Sequence, residues 1–502
     1  MFTIRDHSRR FVCAALLVAV LGAGTPDHSV ATVAPGESPR RIIAAAAHLG
    51  PTPRQLAWQH EELTAFVHYG PDTYTGLEIG AGTESPNLVD PQYFIPDQWM
   101  RTLRDAGFKK VMFTTKHHDG MVLWPSRYTR YGISASPWRN GHGDMVGAVV
   151  RSARKYGLKV ALYLSPADIH ESFPGGRYAD GSKPAPSTIP TLVPGDDRHP
   201  KQFYHFVVDD YNRYYLNQLY ELLTQYGPID EVFLDGFNPL RKRPEPYDFN
   251  AWYRLIRALQ PNAVMFGGLD INWVGNELGV ARQAQWSVVS FAGPPRPDQT
   301  SAIQDPTEPL AGSRASLVDP KAREIRWYPS ECDARLESTW FWHPNQPPKT
   351  LAELETMYYT TIGRNCQLIL DTPPNKSGLL DAADVARLRE FGAWIHAHFD
   401  HDLAAGAALS REAGGAFVYT LPRTTQFQTI GFAEQITAGQ RVEAFAVDAD
   451  AGDGVWNPLT TGQTIGYKRL IKLDRTRSAK RVRLRILQAR EKPEPIGLLL
   501  FR

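Results

Sequence analysis

The sequence predicts an α/β protein, a (β/α)8-like barrel followed by a C-terminal antiparallel β-sandwich. From residue 57 onward, short apolar runs alternate with amphipathic helical stretches, the pattern of parallel strands joined by helices. Several runs end in ionisable residues and glycine, as in Leu234-Asp235-Gly236. Beyond Asp400 the apolar residues recur at every second position, the spacing of strands with one buried face. Polar groups at strand ends are how such a barrel builds an active site, so the pattern also indicates an enzyme.

Eight apolar runs fit barrel strands, and helical stretches lie between them. The predicted strands are 65–68, 110–115, 159–165, 231–235, 263–267, 286–290, 339–342 and 367–371. The predicted helices are 97–106, 145–156, 203–226, 249–259, 351–362 and 382–398. Two Pro/Gly/Ser-rich stretches, 173–200 and 293–320, are predicted to be loops over the site. We assign the catalytic barrel to residues 50–398 and the β-sandwich to residues 400–502.

The N-terminus has the pattern of an export signal. Arg5, Arg9 and Arg10 precede the apolar run 11–21, which is too short to span a membrane. Small residues follow at 22–24 and at Ala31, so we expect a signal peptide within residues 1–31, cleaved between about 24 and 31. The Arg9-Arg10 pair leaves both the Sec and the twin-arginine route open. We expect a periplasmic or secreted protein without stable membrane insertion after cleavage.

Size and charge narrow the possible functions. A chain of 502 residues can bury a full barrel core and leave roughly a hundred residues for a second domain. Because the net charge is only +2 and the basic residues are dispersed, nucleic acid is not an expected partner. The 12 Trp and 21 Tyr fit either a large core or a sugar-binding surface. Cys332 and Cys366 remain after signal cleavage, and both a disulfide and two buried thiols fit the sequence.

Segment 116–120, Lys-His-His-Asp-Gly, carries four polar side chains at one predicted strand end. Consecutive side chains of a strand point to opposite faces, so His117 and His118 are poorly spaced to share a metal ion. We therefore predict no metal site and no cofactor. These groups fit hydrogen bonding to a polyhydroxylated ligand instead. His68 ends the first predicted strand, where a lone histidine is more often structural unless the strand-end histidines converge on one pocket.

Asp235 and Glu277 are the predicted catalytic carboxyl groups. Asp235 ends a buried run, although a strand-end aspartate can also cap a helix. Glycoside cleavage needs a second carboxyl group across the scissile bond. Glu277 follows the fifth predicted strand and lies near Trp273, whose apolar bulk favours a protonated carboxyl group. Weaker candidates for the second group are Glu331, Glu78 and Glu84.

Taken together, these motifs resemble glycoside hydrolase family 29, the α-L-fucosidases. The resemblance extends from about Trp58 to the C-terminus. Segment 273–279, Trp-Val-Gly-Asn-Glu-Leu-Gly, with 286–288 resembles the branch that acts on α-1,3/1,4-linked fucose in branched glycans. The other matching segments are 68–70, 116–120, 124–126, 163–166, 234–236, 365–375, 439–442 and 465–468.

The resemblance implies a retaining α-L-fucosidase with Asp235 as nucleophile and Glu277 as general acid/base. Its substrate would be a fucosylated oligosaccharide or glycoconjugate. Further residues are expected to contact that substrate, namely His68, Glu78, His117, His118, Trp124, Tyr163 and Trp273.

Four positions depart from the family pattern and bear on linkage preference. They are Phe233 (often Trp), Asn272 (commonly Arg), Ile79 (frequently Trp) and Asp371 (usually Asn). These differences leave a broader linkage range as an alternative. A non-catalytic fucose-binding barrel is a second alternative, which would need neither Asp235 nor Glu277.

Overall fold

A computed structural model of the chain describes residues 28–195, 200–236, 238, 246–296, 302–303 and 312–502. The predicted signal peptide lies outside these residues except for positions 28–31. The described helices include none with the length and apolar character needed to span a membrane.

In chain order the strands are β1 (Val30–Thr32), β2 (Leu63–Val67), β3 (Lys110–Lys116), β4 (Lys159–Leu164), β5 (Ala185–Ile189), β6 (Tyr204–Val208), β7 (Glu231–Phe233), β8 (Val264–Phe266), β9 (Asn272–Trp273), β10 (Val288–Phe291), β11 (Glu324–Trp327), β12 (Ser330–Arg335), β13 (Cys366–Asp371), β14 (Ala408–Arg411), β15 (Phe417–Ala433), β16 (Val442–Asp450), β17 (Asn457–Gln463), β18 (Arg469–Ala489) and β19 (Gly497–Phe501). The α-helices are α1 (Pro39–His48), α2 (Pro53–Gln59), α3 (Pro71–Thr75), α4 (Pro96–Asp105), α5 (Met145–Lys155), α6 (Ile169–Ser172), α7 (Asp210–Gln225), α8 (Phe249–Leu259), α9 (Arg314–Leu317), α10 (Leu351–Thr360) and α11 (Ala382–Phe399).

Eight parallel strands form a nearly closed barrel, which confirms the predicted fold class. The order around the barrel is β8, β7, β4, β3, β2, β13, β12 and β9, and a single parallel bridge between Phe266 and Ile271 joins the two ends. All seven residues of β3 are buried, as expected for a parallel strand covered on both faces. The chain passes from β8 to β9 without a helix, so the strict alternation of strand and helix is interrupted once.

Two predicted strands are wrong as barrel strands. Residues 286–290 overlap β10, which joins β11 and β1 in a separate three-stranded antiparallel sheet. Residues 339–342 form no strand. The barrel positions belong instead to β9 and β12, which lack a continuous apolar run: β9 has two residues, and Glu331, Asp333 and Arg335 alternate along β12.

One predicted helix begins later than expected. Residues 203–226 were expected to be helical throughout, but Tyr204–Val208 forms β6 and pairs with β5 in an antiparallel hairpin. The helix α7 starts at Asp210, where the Asp209 side chain accepts the backbone N–H of Asn212 and caps it. The hairpin therefore belongs to the long connection between β4 and α7, and it packs against α7 and α8.

The C-terminal domain is antiparallel, as predicted, and packs at the N-terminal end of the barrel strands. Its six strands are organised around the long pair β15 and β18. Asn365 donates its backbone N–H to Lys468 O at 3.0 Å, and the Tyr467 hydroxyl donates to Glu62 Oε1 at 2.9 Å. Glu62 and Asn365 directly precede β2 and β13, so the domain braces the end of the barrel opposite the carboxyl ends of the strands.

A disulfide links two neighbouring barrel strands. Cys332 of β12 and Cys366 of β13 are bonded, with their Cα atoms 6.1 Å apart. The pairing register places Cys366 opposite Ser330, two residues from Cys332, which brings the two thiols together. Of the two possibilities that the sequence left open, the structure therefore contains the disulfide.

Candidate active site

Polar side chains from six strands meet at the C-terminal end of the barrel. His68 follows β2, His117 and His118 follow β3, and Asp235 follows β7. Tyr163, Asp333 and Asp371 lie in β4, β12 and β13, respectively. The ring of His117 lies 5.6 Å from that of His68, 4.2 Å from that of His118 and 5.8 Å from that of Tyr163. The histidines thus converge, which favours a functional role for His68. The space bordered by these groups is called the mouth below.

Asp235 accepts a hydrogen bond at the end of β7 and lies near a histidine ring. The Tyr163 hydroxyl donates to Asp235 Oδ2 at 3.0 Å, and His118 Nε2 lies 3.6 Å from the same oxygen. Burial raises the pKa of the Tyr163 hydroxyl, and the Asp235 charge adds to the effect, so the tyrosine remains a donor. The Asp235 side chain is 32% exposed. A carboxylate that is oriented by a hydrogen bond yet open to solvent can act as a nucleophile.

His118 is neutral, and its two ring nitrogens have different partners. Burial lowers its pKa to about 3, and the neighbouring His117 acts in the same direction. Nδ1 lies 2.7 Å from Ser165 Oγ, while Nε2 faces Asp235. A neutral imidazole has one donor and one acceptor nitrogen. The arrangement assigns the proton to Nε2, which points it at the carboxylate, and lets Nδ1 accept from the serine hydroxyl.

His68 is oriented by a buried carboxyl group. Its Nδ1 lies 2.8 Å from Asp371 Oδ1 at the end of β13. Burial lowers the pKa of His68 to about 3, although the charges of Glu78 and Asp235 act in the opposite direction. Burial also raises the pKa of Asp371 well above its usual value. With Nδ1 engaged, Nε2 is the nitrogen left to bind a sugar hydroxyl.

His117 lies beside two buried aspartates. Its Nδ1 is 3.7 Å from Asp72 Oδ2, and one ligating atom from each of Asp72, His117 and Asp119 lies within 4.8 Å of the others. Burial raises the pKa of Asp72 to about 7 and raises that of Asp119 as well. These three side chains could hold a cation. The adjacent histidines do not share a site, because His118 faces Ser165 and Asp235 instead.

Two aromatic residues pack beside the histidines of the mouth, Trp340 partly exposed and Phe341 buried. The ring of Trp340 lies 5.2 Å from that of His68, and the ring of Phe341 lies 5.3 Å from His68 and 5.0 Å from His117. Ring faces placed beside hydrogen-bonding groups suit a sugar, whose apolar C–H faces lie between its hydroxyls. Trp340 and Phe341, hereafter the aromatic wall, belong to the segment that was mistaken for a strand.

Glu277 reaches the same space from the loop after β9. Its side chain is 46% exposed, and Oε2 lies 4.0 Å from the Arg335 guanidinium. The Trp340 indole N–H donates to Oε2 at 3.2 Å. The charges of Glu277 and Asp235 both act on His68 and on Asp333, whose pKa values they raise. The two predicted catalytic carboxyl groups therefore border one site.

Asp333 is a further carboxyl group at the mouth that sequence reasoning missed. It accepts the indole N–H of Trp273 at 2.7 Å. Burial raises its pKa to about 7, and the charges of Glu277 and Asp235 add to the rise. The sequence gives no sign of Asp333 apart from its position in β12. That strand was itself not predicted, because charged residues interrupt its apolar pattern. Trp273 in turn borders the site through this hydrogen bond.

Glu78 lies at the mouth, whereas Trp124 lies in the protein interior. Glu78 Oε2 accepts the backbone N–H of Trp340 at 2.9 Å, which fixes the aromatic wall. Trp124 is fully buried, and its indole N–H donates to Glu221 of α7 at 2.9 Å. In this structure Trp124 is a packing residue, because its indole ring lies in the interior, hydrogen-bonded to Glu221, and has no exposed surface at the mouth. This placement corrects the expectation of direct substrate contact.

The remaining acidic candidates are engaged elsewhere. Glu331 is fully buried beside Glu231 and Lys110 inside the barrel, so no glycosidic oxygen can reach it. Glu84 accepts the backbone N–H of Ala81 at 2.6 Å and the Tyr131 hydroxyl at 3.3 Å. The mouth itself therefore combines an anchored carboxylate, further carboxyl groups, neutral imidazoles and aromatic rings. Chemically, that set suits cleavage of a glycosidic bond.

The chain matches one protein family over most of the barrel. Residues 58–399 match the family model described as alpha-L-fucosidase. The chain is 33% identical to Alpha-L-fucosidase 1 of Arabidopsis thaliana in an alignment of 476 positions that covers 88% of this chain and 85% of the plant protein.

Solved structures show the same fold. A putative alpha-L-fucosidase from Bacteroides ovatus is 35% identical and matches with a TM-score of 0.80, covering 94% of this chain and 78% of that one. A Ruminococcus gnavus GH29 fucosidase in complex with fucose is 28% identical and matches with a TM-score of 0.73, covering 95% of this chain and 98% of that one. These similarities agree with the chemistry of the mouth.

Proposed function

This chain belongs to the α-L-fucosidases of glycoside hydrolase family 29, and we propose that it removes terminal α-1,3/1,4-linked L-fucose from branched glycans by a retaining, double-displacement mechanism. The observation that supports the mechanism is Asp235, which accepts a hydrogen bond from Tyr163, lies 3.6 Å from His118 Nε2 and is open to solvent at the end of β7. The fucose-bound Ruminococcus gnavus relative supports the sugar assignment.

In the first step Asp235 attacks the anomeric carbon of fucose while Glu277 protonates the departing glycosidic oxygen. A covalent fucosyl-enzyme forms, and the aglycone leaves as an alcohol. The neutral rings of His68, His117 and His118 bind the sugar hydroxyls, and the aromatic wall accepts the C5 methyl group.

In the second step Glu277 acts as a base. It removes a proton from water, which attacks the anomeric carbon and releases Asp235. Two displacements on the same carbon return the sugar to its original configuration, and this mechanism uses carboxyl groups roughly 5–5.5 Å apart. Proton NMR during hydrolysis of an aryl α-L-fucoside should therefore show α-L-fucose as the first product; β-L-fucose would contradict the mechanism.

The linkage preference rests on the loop that carries Glu277. Segment 273–279 resembles the branch of the family that acts on branched glycans, and Glu277 and Leu278 are exposed, with Leu278 65% exposed. An acid on an exposed loop suits a bulky aglycone. We expect rapid release of fucose from α-1,3- and α-1,4-linked Lewis-type oligosaccharides, and slow release from α-1,2- and α-1,6-linked substrates. Equal or faster cleavage of α-1,2 linkages would exclude this preference without affecting the chemistry.

We also propose export to the periplasm or the medium. The basic and apolar N-terminal segment supports export, and so does the disulfide between Cys332 and Cys366, because such bonds persist in oxidising compartments. β1 pairs with β11 from Val30, so cleavage near residue 24 would leave that strand whole. N-terminal sequencing of the exported protein locates the cut. Loss of export on replacing Arg9 and Arg10 by lysine would identify the twin-arginine route.

A further inference from the structure

Three buried side chains at the base of the mouth have ligating atoms with no hydrogen-bond partner among the described residues. These atoms are Asp72 Oδ1, His117 Nδ1 and Asp119 Oδ1. Both aspartates have no exposed surface, and His117 is 8% exposed. Leaving a polar atom buried and unpaired is unfavourable, and more so for a charged group. A ligand common to the three side chains would remove this penalty.

A backbone N–H group holds each of the two carboxyl groups in place. The backbone N–H of Gly80 donates to Asp72 Oδ2 at 3.1 Å, and that of Met121 donates to Asp119 Oδ2 at 2.7 Å. Each aspartate is thus anchored through Oδ2 and has Oδ1 left over. One ligating atom of each aspartate and of His117 lies within 4.8 Å of the other two.

Glycine at position 80 is part of this arrangement. A Cβ atom there would lie 2.8 Å from Asp72 Oδ1, 2.9 Å from Asp119 Cβ and 3.1 Å from Glu84 Oε1. Glu84 therefore adds a third carboxyl group at the edge of the cluster. Lys116, which precedes His117 in the sequence, is paired with Asp168 at 3.2 Å and with Gln218 at 2.9 Å.

We propose that Asp72, His117 and Asp119 bind one divalent transition-metal ion, with Zn²⁺ as its representative. Two carboxylate oxygens and one imidazole nitrogen form a donor set that such ions accept, and the imidazole favours them over Ca²⁺ or Mg²⁺. The ion neutralises the two buried charges. With Nδ1 on the metal, the His117 proton resides on Nε2, so the ring becomes a fixed donor for a sugar hydroxyl.

Metal content tests the proposal directly and independently of fucose release. Full-length protein, purified without chelator or affinity metal, would be analysed by inductively coupled plasma mass spectrometry. We expect about one equivalent of Zn²⁺ or another transition metal per chain. Protein refolded in chelator and then dialysed against ZnCl2 should regain one equivalent and show a higher Tm than the metal-free form. X-ray absorption at the metal edge should show nitrogen and oxygen ligands without sulfur.

Variants locate the ion. Asp119→Asn and Asp72→Asn should each reduce bound metal at least ten-fold. Glu434→Gln, which replaces an equally buried carboxyl group in the C-terminal domain, should retain it. If an aspartate variant fails to fold, the number of metal equivalents bound by the wild-type chain and its X-ray absorption spectrum still test the proposal. Less than a tenth of an equivalent after refolding with Zn²⁺ or Mn²⁺ would overturn the proposal and point to a shared proton. Unchanged metal in both folded aspartate variants, or Ca²⁺ alone, would also overturn it.

Discussion

Asp235 is the residue whose replacement should separate chemistry from folding. Asp235→Asn keeps the size of the side chain and an oxygen that can accept from Tyr163, but an amide cannot form the fucosyl-enzyme. We expect kcat to fall on the order of a thousand-fold or more, with Tm little changed because the side chain is 32% exposed. Hydrolysis of an aryl α-L-fucoside and thermal unfolding measure the two effects.

Asp230→Asn provides the matched control at the other end of the same strand. Asp230 directly precedes β7, and its Oδ2 accepts the backbone N–H of Val160 at 3.0 Å. This variant should keep most of the activity. A folded Asp235→Asn enzyme with near-normal turnover would place the nucleophile elsewhere.

Glu277 should matter most when the leaving group is poor, because only then must the departing oxygen be protonated. Glu277→Ala should abolish cleavage of natural glycans while sparing the first step on an activated aryl fucoside. Since the second step also loses its base, fucosyl-enzyme should accumulate. Azide needs no deprotonation, so it should restore turnover and appear in the product as fucosyl azide.

Equal loss on both substrates without azide rescue would remove Glu277 from this role. Asp333 would then be the next candidate, because its pKa near 7 suits a general acid and it lies close to Asp235 and Glu277. Glu331 is no longer an alternative, since it is buried inside the barrel. Asp333→Asn, which can still accept from Trp273, would separate the two possibilities in the same assay.

At the scale of a segment, the aromatic wall positions the acid through one hydrogen bond. Trp340→Phe retains an aromatic ring but removes the indole N–H that donates to Glu277 Oε2. A hydrogen bond to a charged group contributes about 1.5 kcal/mol, so kcat on natural glycans should fall roughly ten-fold. Activated aryl fucosides should be less affected in the first step.

The neighbouring tryptophan gives the comparison. Trp342 donates its indole N–H to Asp381 Oδ2 at 2.7 Å, outside the catalytic pair. Trp342→Phe therefore loses an equivalent bond and should leave the ratio of rates on natural and activated substrates unchanged. If both variants change that ratio alike, Trp340 acts through packing and not through Glu277.

The same segment shows where sequence patterns succeed and fail. The strands β2, β3, β4, β7, β8 and β13 were predictable because burial on both faces demands continuous apolar residues. β12 was missed because Glu331, Asp333 and Arg335 interrupt its pattern. Segment 339–342 has the aromatic content of a strand, yet Trp340 and Phe341 pack beside the histidines of the mouth. Both errors arise where contacts other than those of a regular strand determine the residue type.

Site residues were predictable from the sequence where a polar side chain lies at or near the end of an apolar run. Asp235 and the three histidines follow apolar runs, Tyr163 lies near the end of one, and these side chains converge as expected. Asp333 was not recognised as a site residue, and Asp371 was noted only as a departure from the family pattern, because their roles depend on partners 60 and 303 positions away, Trp273 and His68. Such pairings arise from barrel closure, for which a single sequence contains no local signal.

For the whole molecule, a buried carboxyl group in the C-terminal domain should make stability depend on pH. Glu434 accepts the backbone N–H groups of Arg441, Val442 and Gly466 at 2.8, 3.0 and 2.7 Å. Burial nevertheless raises its pKa to about 7, with these donors and the Arg441 charge opposing the rise. The folded state therefore holds the proton that the unfolded chain releases near pH 4.5.

This difference in pKa makes the folded state more stable at low pH. The stabilisation is fully present below about pH 4.5 and is lost as the pH rises through about 7. Relative to Glu434→Gln, the wild-type free energy of unfolding should decrease by about 3 kcal/mol between about pH 4 and pH 8. Urea denaturation of both proteins across this range measures it. Parallel stability profiles would show that Glu434 does not titrate in the folded protein.

The two ends of the barrel have separate tasks. Glu62 and Asn365 contact the C-terminal sheet at the starts of β2 and β13, whereas His68 and Asp371 lie at the ends of the same strands. A strand of six residues is roughly 20 Å long, so the sheet and the mouth face in opposite directions. The enzyme can therefore be immobilised on a solid support through its C-terminal sheet and still meet a fucosylated branch on a bulky glycoprotein.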